Sequence, residues 1–179
     1  MFPKAHAAAY VMMAWRIAYC KVFYPLAYYA AFFSIRASGF SYELMCMGRD
    51  KLEHYLEDYK RRADTLTNKE KDSLRDMRIV QEMYARGYEF MPLDIYQAKA
   101  ARFQIIDGKL MPPLNSIDGL GDKAAIQIVE AAAQGPFLSK EDFMIRSKAG
   151  KTVTDMLSDL GILEGLPESN QLSLFDWAQ

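Results

Sequence analysis

The run Ile117-Asp118-Gly119-Leu120-Gly121-Asp122-Lys123-Ala124-Ala125, passing into Ile126, Ile128 and Val129, decides how this sequence is read. A short Gly-x-Gly turn leads into a segment with small and apolar residues on its inner helical face. Glycine allows both a tight turn and a close approach of backbone to ligand. The amides that open the following helix supply donors and positive potential, which suit a phosphate group. Lys123 adds a cation. Contacts of this type position a protein on a nucleic-acid backbone without reading its bases. By itself a Gly-x-Gly is equally a tight connection between two helices.

Working outward, Gly135-Pro136-Phe137 and a second helical pair, broken at Gly150 and Gly161, follow downstream. Together with the first turn they fit a tandem helix-hairpin-helix arrangement. The second unit, Ser147–Leu160, lacks the Gly-x-Gly and reads as a degenerate copy. Upstream, Phe103–Ile106, the turn Asp107-Gly108 and Lys109–Met111 predict a small hairpin, closed by Pro112-Pro113. Arg49–Asp64 and Thr67–Arg86 predict two charged amphipathic helices with solvated mixed-sign faces. Thr67 and Glu70 form a capping box, and Gly87 stops the second helix. No internal repeat of solenoid length is evident. The expected fold is mainly α: a helical N-terminal part over residues 1–91, a helix-hairpin-helix domain over 92–164 and a flexible tail over 165–179.

Composition agrees with a globular chain. The 179 residues are 51% hydrophobic and 25% charged, which excludes a disordered or low-complexity protein. Cys20 and Cys46 match no disulfide framework, zinc or Cys-x-x-Cys pattern, and only His6 and His54 could join them as soft ligands. No transition-metal site is expected. Charge is unevenly spread: Met1–Tyr42 hold Lys4, Arg16, Lys21 and Arg36 without a carboxylate. Beyond Lys151 come Asp155, Asp159, Glu164, Glu168 and Asp176 without a cation. Such asymmetry suits different partners at the two ends.

The N-terminal stretch predicts a helix over Ala5–Tyr24, with Pro25 opening a second helix to Ile35. Val11, Met12, Met13, Ala14 and Trp15 are consecutive, so they point in every direction around the helix, and a helix apolar all round needs cover on all sides. Arg16 and Lys21 interrupt the apolar run too early for a membrane span or a signal peptide, so a cytoplasmic protein without a membrane partner is expected. One reading is a C-terminal piece of something larger; the alternative is burial by the rest of the 179 residues or by a dimer partner. His6 and Tyr10 lie one turn apart on one face, Lys21 returns near Tyr10's direction, and Lys4 sits at the helix start. That set could grip a triphosphate and stack near a base; it could equally be satisfied at a buried helix contact. At the other end, Gln171-Leu172-Ser173-Leu174-Phe175 follows a linker, Gly165–Asn170. It suits either a short peptide anchored in a partner's apolar pocket or a segment folded back on the body.

Three of these segments, in this order, resemble one family. Phe2-Pro3-Lys4-Ala5-His6-Ala7-Ala8-Ala9-Tyr10 resembles the fingers motif of bacterial replicative DNA polymerase III alpha subunits of the PolC type. Tyr24-Pro25 and the aromatic run to Phe33 continue the likeness. Pro112-Pro113, Gly119-Leu120-Gly121 and Gly135-Pro136-Phe137-Leu138 resemble the family's tandem helix-hairpin-helix domain, and Gln171–Phe175 its sliding-clamp-binding motif. The related DnaE-type subunits carry a further domain after this region.

The resemblance implies that Lys4, His6 and Tyr10 face the incoming deoxynucleoside triphosphate, and that Gly119, Gly121 and Lys123 hold duplex DNA. It implies that Gln171, Leu172, Leu174 and Phe175 dock into the clamp. Such polymerases use palm carboxylates and two metal ions, so Mg2+ is implied for the complete enzyme. Nothing here resembles that aspartate cluster. No catalytic residue and no bound cofactor are expected in this chain, which should be inactive alone. A free-standing DNA-binding clamp adaptor without catalysis is the alternative expectation.

Overall fold

A computed structural model describes residues 3–170. Among them, eight α-helices and one two-stranded antiparallel hairpin form, and the mainly helical expectation holds. The chain divides into two compact units. One runs to Met91 and takes in Phe103–Met111; the other holds Pro92–Arg102 and the chain from Pro112 onward.

The first unit opens with α1 (Lys4–Phe23) and α2 (Pro25–Ile35). Proline at the first position of α2 needs no amide partner, so the chain turns there without losing a bond. Tyr29 and Phe33, one turn apart, are the inward side chains of α2. A single turn, α3 (Tyr42–Met45), is capped by the Ser41 hydroxyl. In α4 (Arg49–Arg61), Leu52, Leu56 and Tyr59 recur at helical spacing and are buried. The Thr67/Glu70 capping box starts α5 (Asn68–Ala85), which buries Met77, Val80 and Met83.

These faces meet in one core with Phe90, Phe103 and Leu110. Its centre is aromatic: the Phe33 ring lies 5.2 Å from Phe40 and 5.6 Å from Phe103. Gly39 presses so closely on α5 that a Cβ there would stand 2.3 Å from the Ser73 amide nitrogen. Its own amide donates to the buried Asp76 carboxylate at 2.8 Å.

The hairpin, β1 (Gln104–Ile106) and β2 (Lys109–Met111), turns through Asp107 at φ 48° and Gly108 at φ 75°. Left-handed values at both turn positions are what a two-residue hairpin turn demands. The Phe103 amide donates to Ser34 of α2 at 2.9 Å, and Leu110 exchanges backbone bonds with Glu89 and Met91. The hairpin therefore belongs with the first unit, although a boundary drawn at residue 92 places it in the second. Sequence order hides this, because the chain leaves the first unit at Pro92 and returns at Phe103.

The apolar stretch calls for cover on every side, yet α1 contains no buried residue, and Trp15 is 73% exposed. The described residues do not cover it. An ion pair does tie its C-terminal end, where Lys21 meets Glu82 of α5 at 2.6 Å. Burial works to raise the Glu82 carboxyl, but Lys21 and Arg86 outweigh it and hold the group below its usual range. No helix among the described residues is long and apolar enough to cross a membrane.

The second unit contains a 3₁₀ turn (Leu114–Ser116) and helices α6 (Asp122–Ala132), α7 (Lys140–Ser147) and α8 (Lys151–Asp159). Phe137 is buried between Tyr96 and Phe143, with ring distances of 5.8 and 5.1 Å, and its amide donates to the Tyr96 hydroxyl. Arg146 donates to the carbonyls of Ala131, Gly135 and Pro136 and lies 4.5 Å above the Phe137 ring. One guanidinium thus ties the end of α6 to the loop that follows it.

Candidate nucleic-acid interface

Gly119 and Gly121 do different work in the first hairpin. Gly119 takes φ 88°, a left-handed value that suits glycine, and reverses the chain after the 3₁₀ turn. Gly121 has φ −72° and ψ 157°, values open to any residue, and is the N-cap of α6. Between them Leu120 is buried, which locks the turn against the unit's core. Lys123 follows on the first turn of α6 and is exposed. Gly119, Gly121 and Lys123 therefore occupy one turn, as expected.

The second hairpin repeats this backbone 29 residues later. Lys148 stands where Gly119 stands and keeps a left-handed φ of 55° despite its side chain. Ala149 is buried in the place of Leu120. Gly150, with φ −71° and ψ 162°, caps α8 as Gly121 caps α6. The offset extends inward: Leu114 pairs with Phe143, Ala125 with Thr154 and Ile128 with Leu157, all buried. The second unit is degenerate in sequence but not in backbone. The sequence marks Gly150 as a break but not Lys148 or Lys151, because a lysine hides the left-handed position. The signal was the pair of glycines at 121 and 150 with apolar residues at matching offsets.

The three helix starts in this unit are not alike. α7 is fully capped: Ser139 accepts from the Asp142 amide at 3.0 Å, while the Lys140 and Glu141 amides donate to Pro167 and Glu168 carbonyls. α6 and α8 begin on glycines and have no side-chain cap. Among the described residues, no backbone carbonyl outside the helices accepts from the amides of Asp122, Lys123, Lys151 or Thr152. Serine or aspartate in place of glycine would stabilise such a start by a few tenths of a kcal/mol. A Cβ on Gly121 or Gly150 would meet nothing within 4 Å, and neither φ requires glycine. Within this chain, then, neither packing nor backbone strain explains these two glycines. Both leave room for an outside group to reach the bare amides.

On α1, the rings of His6 and Tyr10 meet at 4.5 Å. Lys4 stands two residues before His6, about 200° around the helix, so the three side chains do not share one face. Lys21 is engaged by Glu82, with its Nζ also 5.3 Å from the Tyr28 ring. Gln171, Leu172, Leu174 and Phe175 lie outside the described residues. The linker before them is partly fixed: Pro167 and Glu168 are hydrogen-bonded to the start of α7, and Lys140 pairs with Glu168 at 2.5 Å. No group of three or more His, Cys, Asp or Glu side chains placed to hold a metal ion occurs among the described residues.

Fold and turn geometry define a helical chain carrying a tandem helix-hairpin-helix element. The helix-hairpin-helix motif family matches residues 87–172, which span both hairpins. Over 175 residues the chain is 48% identical to the PolC-type DNA polymerase III of Clostridium perfringens and 45% identical to that of Caldanaerobacter subterraneus. It is 47% identical over 178 residues to the Streptococcus pyogenes counterpart. Each match takes in 98% of this chain but 12% of the relative. The chain is homologous to the C-terminal region of PolC-type DNA polymerase III.

Proposed function

We propose that this chain serves as the part of a replicative DNA-directed DNA polymerase that grips duplex DNA without reading its sequence. The observation that carries this reading is the pair of glycine-capped helix starts, alike in backbone conformation and without a side-chain cap among the described residues. Two phosphates fit them, with Lys123, Lys148 and Lys151 as nearby cations. Such binding weakens steeply with salt and is nearly sequence-blind, because its contacts are to phosphates. Titration of duplexes of different sequence across a salt series tests it. Strong discrimination among sequences overturns it.

Two further roles belong to the same reading. Lys4, His6 and Tyr10 contribute to holding the incoming deoxynucleoside triphosphate, supported by the His6–Tyr10 ring contact and an exposed basic helix start. Because Lys4 lies on another face, its role is at the helix end. Gln171, Leu172, Leu174 and Phe175 attach the polymerase to its sliding clamp. Calorimetric titration into a bacterial clamp tests this: micromolar binding, about −8 kcal/mol, should vanish in Leu174→Ala/Phe175→Ala.

Catalysis requires the rest of the polymerase. Two-metal phosphoryl transfer needs palm carboxylates, and on this reading these, with the Mg2+ they hold, lie in other parts of the polymerase, so this chain alone should not incorporate nucleotides. The bare apolar helix α1 agrees with a segment that works inside a larger cytoplasmic polypeptide.

A further inference from the structure

One side chain closes the path between the two phosphate-suited turns. The first turn opens α6, a rod of 11 residues and about 16 Å, and the second begins at Lys148, directly after α7. The loop 133–139 joins the two helices. Arg146 lies on the last turn of α7, two residues before Lys148. Its Nη2 donates to the Ala131 carbonyl in the last turn of α6 at 2.6 Å and to the Gly135 carbonyl at 2.8 Å. Its Nη1 donates to the Pro136 carbonyl at 3.0 Å and pairs with Asp142 at 3.2 Å. The guanidinium also covers the ring of Phe137, and the Asp142 carboxylate accepts from the Leu138 amide at 3.1 Å. Each residue from Gly135 to Leu138 is thereby held by Arg146 or by its ion-pair partner. A cation placed there also meets the negative end of the α6 dipole.

We propose that Arg146 is a positioning residue for duplex binding: by locking the end of α6 to the end of α7 it sets the separation of the two turns, so that one duplex engages both at once. The inference rests on the duplex-binding role proposed above. Arg146 does not itself serve as a phosphate contact, because both terminal nitrogens are engaged within the chain and its side chain is 21% exposed. It acts through the path from Gly121 along α6, across the guanidinium, to Lys148. With that path rigid, engagement of the second turn becomes intramolecular and pre-organised, which raises affinity without a new contact. Three carbonyls and a carboxylate spread over two nitrogens suit the planar fork of arginine. The compact ammonium of lysine does not span them.

Two variants of the full 179-residue chain, Arg146→Lys and Arg146→Gln, test this by fluorescence anisotropy on a labelled duplex across a salt series. Both should bind at least about 10-fold more weakly, as the turns cease to act together. The slope of log K against log salt should fall by about 0.9 for each phosphate contact given up. Lysine keeps the charge, so its failure to restore affinity separates the clasp from simple electrostatics. Amide resonances of Gly119, Gly121 and Gly150 near their parent positions report that each turn persists. Should the glutamine variant fail to fold, the lysine variant, which keeps the stem and the charge, carries the test. A smaller folded population lowers affinity at an unchanged slope, so weaker binding with the parent's slope overturns the positioning role. Parent-like affinity of Arg146→Lys overturns it as well. No duplex binding by the parent at low salt overturns the duplex reading itself, and this inference with it.

Discussion

Replacing Gly121 and Gly150 by serine pulls stability and DNA affinity in opposite directions. Both positions have backbone angles that serine adopts without strain, and a Cβ at either meets nothing within 4 Å. A serine hydroxyl at an N-cap accepts from an amide of the first turn, a gain of a few tenths of a kcal/mol over glycine. Reduced freedom of the unfolded chain adds about 0.4–1 kcal/mol at each site. The double variant Gly121→Ser/Gly150→Ser should therefore melt several degrees higher, since about 1 kcal/mol shifts the Tm of a domain this size by about 4–8 °C. DNA binding should fall, because the hydroxyl now occupies the amide and its Cβ stands where a phosphate must approach. Hydrogen bonds to a charged group contribute about 1.5–3 kcal/mol each, so losing one per turn weakens binding about 10- to 100-fold per site. Calorimetry gives the first quantity and fluorescence anisotropy with a labelled duplex at fixed salt the second. A higher Tm with unchanged affinity refutes the argument that these glycines are kept for an outside ligand.

Lys148→Gly should stabilise the second unit by about 1 kcal/mol by relieving a left-handed residue that carries a Cβ, while lowering the slope of log K against log salt by about 0.9; thermal melts and a salt titration read the two effects. Gly39→Ala drives a Cβ to 2.3 Å from the Ser73 amide nitrogen and should cost at least about 1–3 kcal/mol, seen as a lower chemical-denaturation midpoint. Burial raises the Asp76 carboxyl above its ordinary value of 3.8, against the opposing pull of the Gly39 amide and Arg75. The folded chain therefore holds this proton to higher pH than the unfolded chain does. This group's contribution is most favourable below the ordinary value and declines as pH rises through the raised one. Asp76→Asn should remove that decline, as measured by the difference between the two proteins' stability–pH curves.

Local rules carried much of the architecture in the sequence. Pro25 and the Thr67/Glu70 box set helix starts, and Asp107-Gly108 set the hairpin turn, because each acts through a few neighbouring atoms. The first phosphate-suited turn was equally legible, since Gly119-Leu120-Gly121 states its backbone requirement in residue types. The second turn was not: Lys148 adopts a conformation that lysine does not announce, and burial of Phe143, Ala149 and Leu157 around it holds it there. His6 and Tyr10 could be paired from helical spacing alone, whereas the engagement of Lys21 by Glu82, 61 positions away, could not.

By itself, then, the sequence determined the helices, their caps, the hairpin and the first Gly-x-Gly, all products of short-range sterics and hydrogen bonding. Only the tertiary structure decided which unit owns the hairpin, that α1 finds no cover among the described residues, and that Pro167 and Glu168 cap α7. Those outcomes depend on contacts between residues far apart in sequence, made through backbone amides and carbonyls that every residue carries. No residue type records which distant partner such groups will take.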